Sequence, residues 1–324
     1  MESRNWPIIG QSKALNFFDK LLNFEEITPG RLGGSFILAG GESLGKTTAL
    51  ELFICKLLKI SNFEIVNSDI ARLEPGEGSR EIGVDQVREF SGRIALSAFG
   101  SHYRIGIISS AESLSIEAAN ALLKTLEDAR DQVIIFLLTT TLDKLPTTVR
   151  SRSQIITFSS VGVDIMYEWL IQTVKVTRPQ AKNFSRLAAG RPGVAWSLAK
   201  DKKLLEERLS PMRLFCQALT ISLQERWQLA GKLIGSLKGT EAVEAAKLTI
   251  LSWRLGLRDM LLLYLNRPEL VVHTILEEDL RNALRRLTPT DLRRLDIKLI
   301  RSLDYLQANV NPKLVLEQVM LNII

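Results

Sequence analysis

Ser35-Phe36-Ile37-Leu38-Ala39-Gly40-Gly41-Glu42-Ser43-Leu44-Gly45-Lys46-Thr47-Thr48 is the stretch that decides the fold. A short apolar strand, Ser35 to Ala39, runs into a loop with glycines at 40 and 45, and the helical periodicity from Thr47 to Leu58 carries the chain away. Strand, glycine-rich loop and helix in that order make a phosphate cradle. Backbone N–H groups of residues 41 to 46 surround the anion at the positive end of the helix, Lys46 reaches the terminal phosphates, and Thr47 binds magnesium. Gly40, Gly45, Lys46, Thr47 and Thr48 are therefore the candidate nucleotide-binding residues, and the implied ligand is ATP or ADP with Mg2+. A glycine-rich turn without a ligand would not require all three elements in sequence.

The strand expected to carry catalytic carboxylates, Arg104 to Ile108, ends in Ser109-Ser110. Hydrolysing a triphosphate needs one carboxylate to organise magnesium, another to orient water, and cations to stabilise the developing charge. Serine supplies no negative charge. Glu112, two residues on, is expected to face solvent past the strand end. The residues thus describe a site that holds a triphosphate and lacks the usual means of cleaving it. Bound ATP, bound ADP and a vestigial loop are all compatible with them.

With 324 residues the chain has room for two or three domains and a large core. Its 46% hydrophobic and 24% charged composition is ordinary for a globular protein, and the net charge of +6 permits nucleic-acid contact without requiring it. Cys55 and Cys216 are too far apart for a local metal motif, and each lies in an apolar helical pattern. Buried thiols in a reducing cytoplasm follow. No secretion signal or membrane-length apolar run is evident, so cytoplasmic localisation is expected.

Residues 1 to about 160 alternate strand and helix, as a parallel sheet with crossover helices requires. Strands are expected at Phe63-Glu64-Ile65-Val66, Arg104 to Ile108 and Val133 to Thr139. Helices are expected from Val84 to Leu96, with Val87, Phe90 and Ile94 on one face, and after Ser115, a suitable N-cap, to Asp128. Beyond 161 the pattern is helical, broken at Gly190-Arg191-Pro192-Gly193, Gly239, Asn266-Arg267-Pro268, Pro289 and Asn311-Pro312.

Ile8-Ile9-Gly10-Gln11, the loop at 40 to 47, Ala118-Ala119-Asn120-Ala121-Leu122-Leu123-Lys124-Thr125-Leu126-Glu127 and Leu145-Pro146-Thr147-Thr148-Val149-Arg150-Ser151-Arg152-Ser153 occur in the order found in clamp-loader ATPases of the AAA+ class, which this chain resembles. Ala308-Asn309-Val310-Asn311-Pro312-Lys313-Leu314-Val315-Leu316-Glu317 is similar to the last collar helix of the delta-prime family of bacterial DNA polymerase III. The resemblance implies an α/β AAA+ P-loop domain with a parallel sheet over 1–160, a small helical lid domain over 161–204 and an all-α collar domain for oligomerisation over 205–324. It also implies a non-hydrolysing subunit: active members carry Asp-Glu where Ser109 and Ser110 stand, and a phosphate-sensing arginine at the position matching Gly193. Thr140 fits the polar sensor at the end of the fourth strand. Arg152 is implied to reach into a neighbour's ATP site as an arginine finger, a role for which a planar bidentate cation suits better than lysine.

Implied partners are motor ATPase subunits, the delta subunit, the sliding clamp and, through the assembled complex, primed DNA; no membrane is involved. Many relatives carry a four-cysteine zinc module after the loop helix, but residues 59 to 83 contain no cysteine, so no zinc is expected. A hydrolysing AAA+ protein, either a loader motor or a DNA-repair enzyme, is the rival reading, and a P-loop kinase a weaker one. Arg281 to Arg301 holds seven basic and two acidic residues in a helical pattern that suits a solvated face better than a DNA site. His102, His273, Trp196 and Trp253 are assigned structural roles.

Overall fold

A computed structural model describes residues 6–61, 63, 68–76, 79, 81–129, 131–234 and 237–323. Helix α1 (Ser12–Ile27) is followed by β1 (Gly34–Ala39), α2 (Lys46–Leu58), β2 (Ile70–Leu73), α3 (Val84–Ile94), β3 (Arg104–Ile108), α4 (Ile116–Glu127), β4 (Val133–Thr139), the one-turn α5 (Thr147–Arg150), β5 (Gln154–Thr157) and α6 (Val163–Trp169). The five strands form one parallel sheet in the order β2-β3-β4-β1-β5. Successive β1 side chains enter opposite layers. Phe36 and Leu38 join Phe18 of α1 and Phe53 of α2, while Ile37 and Ala39 join α3 and α4. Cover on both faces explains why the inner strands read as unbroken apolar runs, and each fully buried Phe or Ile contributes about 1.5–3 kcal/mol.

Val87, Phe90 and Ile94 are the buried face of α3, and Ser115 Oγ caps α4 by accepting from Ala118 N at 3.0 Å. Two strands differ from expectation. Glu64, Ile65 and Val66 of the expected strand lie outside the described residues, and the strand beside β3 is Ile70–Leu73. Gln154–Thr157 adds a second edge that periodicity did not mark.

Contacts divide the chain into two units: Met1–Trp169 with Gly190–Val194, and Leu170–Ala189 with Ala195–Ile324. The stretch expected to form a lid of its own, 161–204, is thus shared between them. After a π turn at Leu170–Val174, the second unit contains α7 (Arg178–Leu187), most of α8 (Pro192–Lys200), α9 (Lys202–Ala218), α10 (Leu223–Ile234), α11 (Gly239–Tyr264), α12 (Glu277–Leu284), α13 (Pro289–Gln307) and α14 (Pro312–Leu321). Pro289 and Pro312 each open a helix, where the missing N–H costs nothing. Trp253 is fully buried, its ring 5.3 Å from that of Phe215 and its indole N–H donating to Pro211 O at 2.8 Å. Asp259 is buried as well. It accepts from Val272 N, from His273 N at 2.8 Å and lies 2.9 Å from His273 Nδ1, which gives His273 its structural role. Among the described residues no helix is long and apolar enough to cross a membrane.

Both thiols lie within helices. Burial, helped by Asp279, pushes Cys216 up to about 12, and burial with Glu51 raises half-buried Cys55. Since the thiolate is the reactive form, Ellman's reagent at pH 8 should leave Cys216 unmodified in the native chain and titrate both thiols in guanidinium. Rapid native release of two equivalents would show that α9 opens readily.

Candidate nucleotide-binding site

The carboxyl ends of β1, β3 and β4 are neighbours in the sheet, so Gly40, Ser109-Ser110 and Thr139-Thr140 arrive at one edge. Ligands of parallel α/β sheets bind at such an edge. Gly40 has φ 152°, and a Cβ there would overlap the Phe158 carbonyl, so this turn accepts only glycine. Gly45, at φ 95°, starts α2 with its N–H groups turned to the loop. Thr47 and Thr48 are exposed, while Lys46 is buried and donates to the carbonyls of Gly40 at 2.5 Å and Gly41 at 2.7 Å. Burial lowers Lys46 from its ordinary pKa, against the opposing charges of Glu112 and Glu42. An ammonium held by loop carbonyls, an exposed helix N-terminus and a side-chain-free turn fit a nucleotide phosphate chain with its magnesium ion.

Gln11 is a site residue whose role its motif alone did not specify. Buried beneath the loop, it donates to Ser159 O at 2.7 Å and Leu44 O at 3.4 Å and accepts from Ser159 N at 3.0 Å. It thereby ties the amino-terminal segment to the loop and to the chain after β5. Gly193, at the start of α8, donates its N–H to Ser43 O at 2.9 Å, and a Cβ would lie 3.1 Å from both Ser43 O and Ser43 Cβ. An arginine at 193 would require the loop or this turn to shift.

Glu112 departs from expectation. Ser110 adopts φ 53°, and the 3-10 turn Ala111–Ser113 that follows folds Glu112 back to β4. Its Oε1 accepts from Thr140 Oγ1 at 2.5 Å and from Thr140 N at 3.2 Å, while Oε2 is buried with no hydrogen-bond partner. Burial works to raise the pKa of this carboxyl, but hydrogen bonds from Thr140 and Thr139 hold it below the ordinary value. Instead of facing solvent, the carboxylate stands beside Thr140, and its charge reaches Lys46. No spacing rule could reveal this, because it depends on one left-handed serine.

Arg152 lies elsewhere. Its carbonyl accepts from Ser35 Oγ at 2.6 Å, and Ser153 Oγ lies 3.2 Å from the same hydroxyl, so its backbone is pinned to the beginning of β1. The loop leaves the other end of that strand, roughly 16 Å away at about 3.3 Å per residue. The Arg152 side chain, 38% exposed, pairs with Glu127 at the end of α4 (2.6 Å) and donates to Thr148 O at 3.2 Å. Arg150 pairs separately with Asp143 at 3.3 Å.

The strand order, the loop after an inner strand and the helical layers on both faces define a parallel α/β domain of the P-loop type, and the described residues after it are all helical or loop. The chain resembles the delta-prime subunit of DNA polymerase III. Residues 54–162 match the family model described as DNA polymerase III, delta subunit. The Haemophilus influenzae DNA polymerase III subunit delta' is 32% identical over 147 residues, which are 45% of this chain and 44% of that one. The Mycoplasma pneumoniae subunit gamma/tau is 26% identical over 216 residues, 61% of this chain and 30% of that one. A solved gamma subunit-related protein from Thermotoga maritima superposes with a TM-score of 0.47 at 22% identity, covering 93% of this chain and 97% of its own. The chain spans under half the length of the delta' relative it matches.

Proposed function

We propose that this chain is a clamp-loader subunit of the DNA polymerase III type that binds nucleotide without hydrolysing it and acts on a neighbouring ATPase subunit through Arg152. The observation that carries this reading is the separation of its functional parts: the loop lies at one end of β1, Arg152 is pinned at the other, and Ser109 and Ser110 stand where hydrolysis needs carboxylates. An arginine so placed cannot reach its own loop, and a second chain gives it a phosphate to meet. The motor subunits, delta, the sliding clamp and primed DNA are the partners this function requires. A replication complex in the cytoplasm is its setting.

Purified alone, the chain should bind ATP or ADP weakly to moderately, lose that binding on Lys46→Ala, and release no phosphate above background. Steady phosphate release abolished by Lys46→Ala would instead favour the motor-ATPase reading, for which Glu112 at the site is the one supporting observation.

A further inference from the structure

Helices α13 and α14 pack together in the second unit, and a cavity of about 230 Å³ opens between them. Lys298, Arg301 and Tyr305 line it from α13, and Gln318, Val319 and Asn322 from α14, with no carboxylate among the lining residues. Arg294 precedes them at helical spacing. Arg294, Lys298, Arg301 and Tyr305, at i, i+4, i+7 and i+11, therefore form one exposed stripe about 16 Å long. A merely solvated face would be convex and interspersed with acids; this one is grooved.

The cations on the stripe are available. Lys298 Nζ donates to Asn322 O at 2.7 Å, which offsets the partial negative charge at the end of α14 and leaves two of its N–H donors. Arg301 makes no ion pair among the described residues. The nearby acids have other partners: Asp296 accepts from Arg254 at 2.7 Å, Glu317 lies 3.9 Å from Lys313, and Asp291, though 3.8 Å from Arg294, is held by Thr288 at the start of α13. Asp304 is off the stripe, about 100° round the helix from Tyr305.

We infer that this groove is a binding site for single-stranded nucleic acid. A row of cations beside an exposed ring is the arrangement that tracks a phosphodiester backbone and stacks an unpaired base. Arg294, Lys298 and Arg301 meet successive phosphates, Tyr305 takes the base, and the carboxamides of Gln318 and Asn322 can both donate to and accept from its edge. A duplex keeps its bases stacked and offers Tyr305 none, and a cavity of this size admits one base only. An acidic protein segment fits the cations but has no use for the ring or for the amide oxygens. The site is independent of the glycine loop, and it gives the helical unit a nucleic-acid contact of its own.

The test is fluorescence anisotropy of a labelled oligothymidylate of about 20 nucleotides with the full chain, without ATP, over a series of KCl concentrations. Three phosphate contacts predict a slope of about −2 in log K against log salt, or roughly 15-fold weaker binding at 200 mM than at 50 mM KCl. Arg301→Ala should flatten the slope by about 0.7. Tyr305→Ala should weaken binding about 5- to 10-fold with the slope unchanged, and Tyr305→Phe should retain it. Arg285→Ala, which removes an exposed arginine of the neighbouring turn, should bind as wild type does; equal melting temperatures establish that all are folded. Wild-type affinity in both Arg301→Ala and Tyr305→Ala overturns the inference, as does the absence of binding by wild type at 50 mM KCl. Tighter binding of a duplex of the same length, or displacement of the strand by polyglutamate as effective as by unlabelled oligothymidylate, overturns it in favour of another ligand. Because no ATP is present, each of these outcomes leaves the nucleotide-loop reading untouched.

Discussion

In a loader reconstituted with the Arg152→Ala chain, hydrolysis at the one neighbouring site that receives this arginine should fall by roughly a thousandfold, the scale on which a trans-acting arginine acts. The DNA- and clamp-stimulated rate of the whole assembly should fall less, since other sites still turn over, and clamp loading should fall with it. Assembly should be unaffected. The side chain is over a third exposed and its pair with Glu127 is a surface one, worth about 0–1 kcal/mol. For the same reason, releasing Arg152 towards a neighbour costs little. Arg152→Lys should rescue poorly, because an ammonium cannot reproduce the planar fork. Glu127→Gln should be near neutral or slightly activating, having lost only the resting partner. Unchanged ATPase and loading rates in complexes of verified equal composition would reduce Arg152 to a surface charge.

The largest stability effect is expected from a residue far in sequence from the glycine loop. Asp259→Ala removes the acceptor for the backbone N–H groups of Val272 and His273 and leaves the buried His273 imidazole unpaired. Each buried donor so orphaned costs about 1–3 kcal/mol, and the total should be roughly 3–5 kcal/mol in the unfolding of the helical unit, read from urea titration by far-UV circular dichroism. Asp259→Asn, which keeps an acceptor of the same shape, should cost about half as much. A loss below ~1 kcal/mol for the alanine variant would mean water satisfies these groups in the native state.

Asp259 also shows where reading from sequence stops. It stands beside Arg258 in a long helix, and charged residues on helices usually face water; only the return of the chain at Val272 makes it interior. Glu112 is hidden in the same way by the left-handed Ser110. The strands divide by a similar logic. β1, β3 and β4 are covered on both faces and announce themselves as apolar runs. Ile70–Leu73 and Gln154–Thr157 are the sheet's two edges, short and partly exposed, with Arg72 and Gln154 facing solvent. Half-buried edge strands carry too little apolar signal to distinguish them from loops. Helix breaks were legible because Pro289 and Pro312 act locally. The faces were less so: Leu257 and Met260 of α11 are interior, while Leu261 and Tyr264 remain exposed. Nor does spacing show that α7 is fastened to residues far along the chain, with Arg186 donating to Pro268 O and Val271 O and Thr274 to Asn183.

The position of β1 in the sheet has a consequence for the order of events during synthesis. Both strands that flank it come late: Gly34 pairs with Ile134, and Phe36 with Gln154. At about 5–20 residues per second, the ribosome needs roughly 5–20 s to supply the first of these partners. Throughout that interval Phe36-Ile37-Leu38-Ala39 and the loop it carries have no strand to pair with. The strand that carries the glycine loop is thus among the last of the sheet to settle, and while it waits it is an apolar sequence with open backbone hydrogen bonds. Binding by a holding chaperone at this stage, lost once residues past 157 have emerged, would be the cellular trace of that topology.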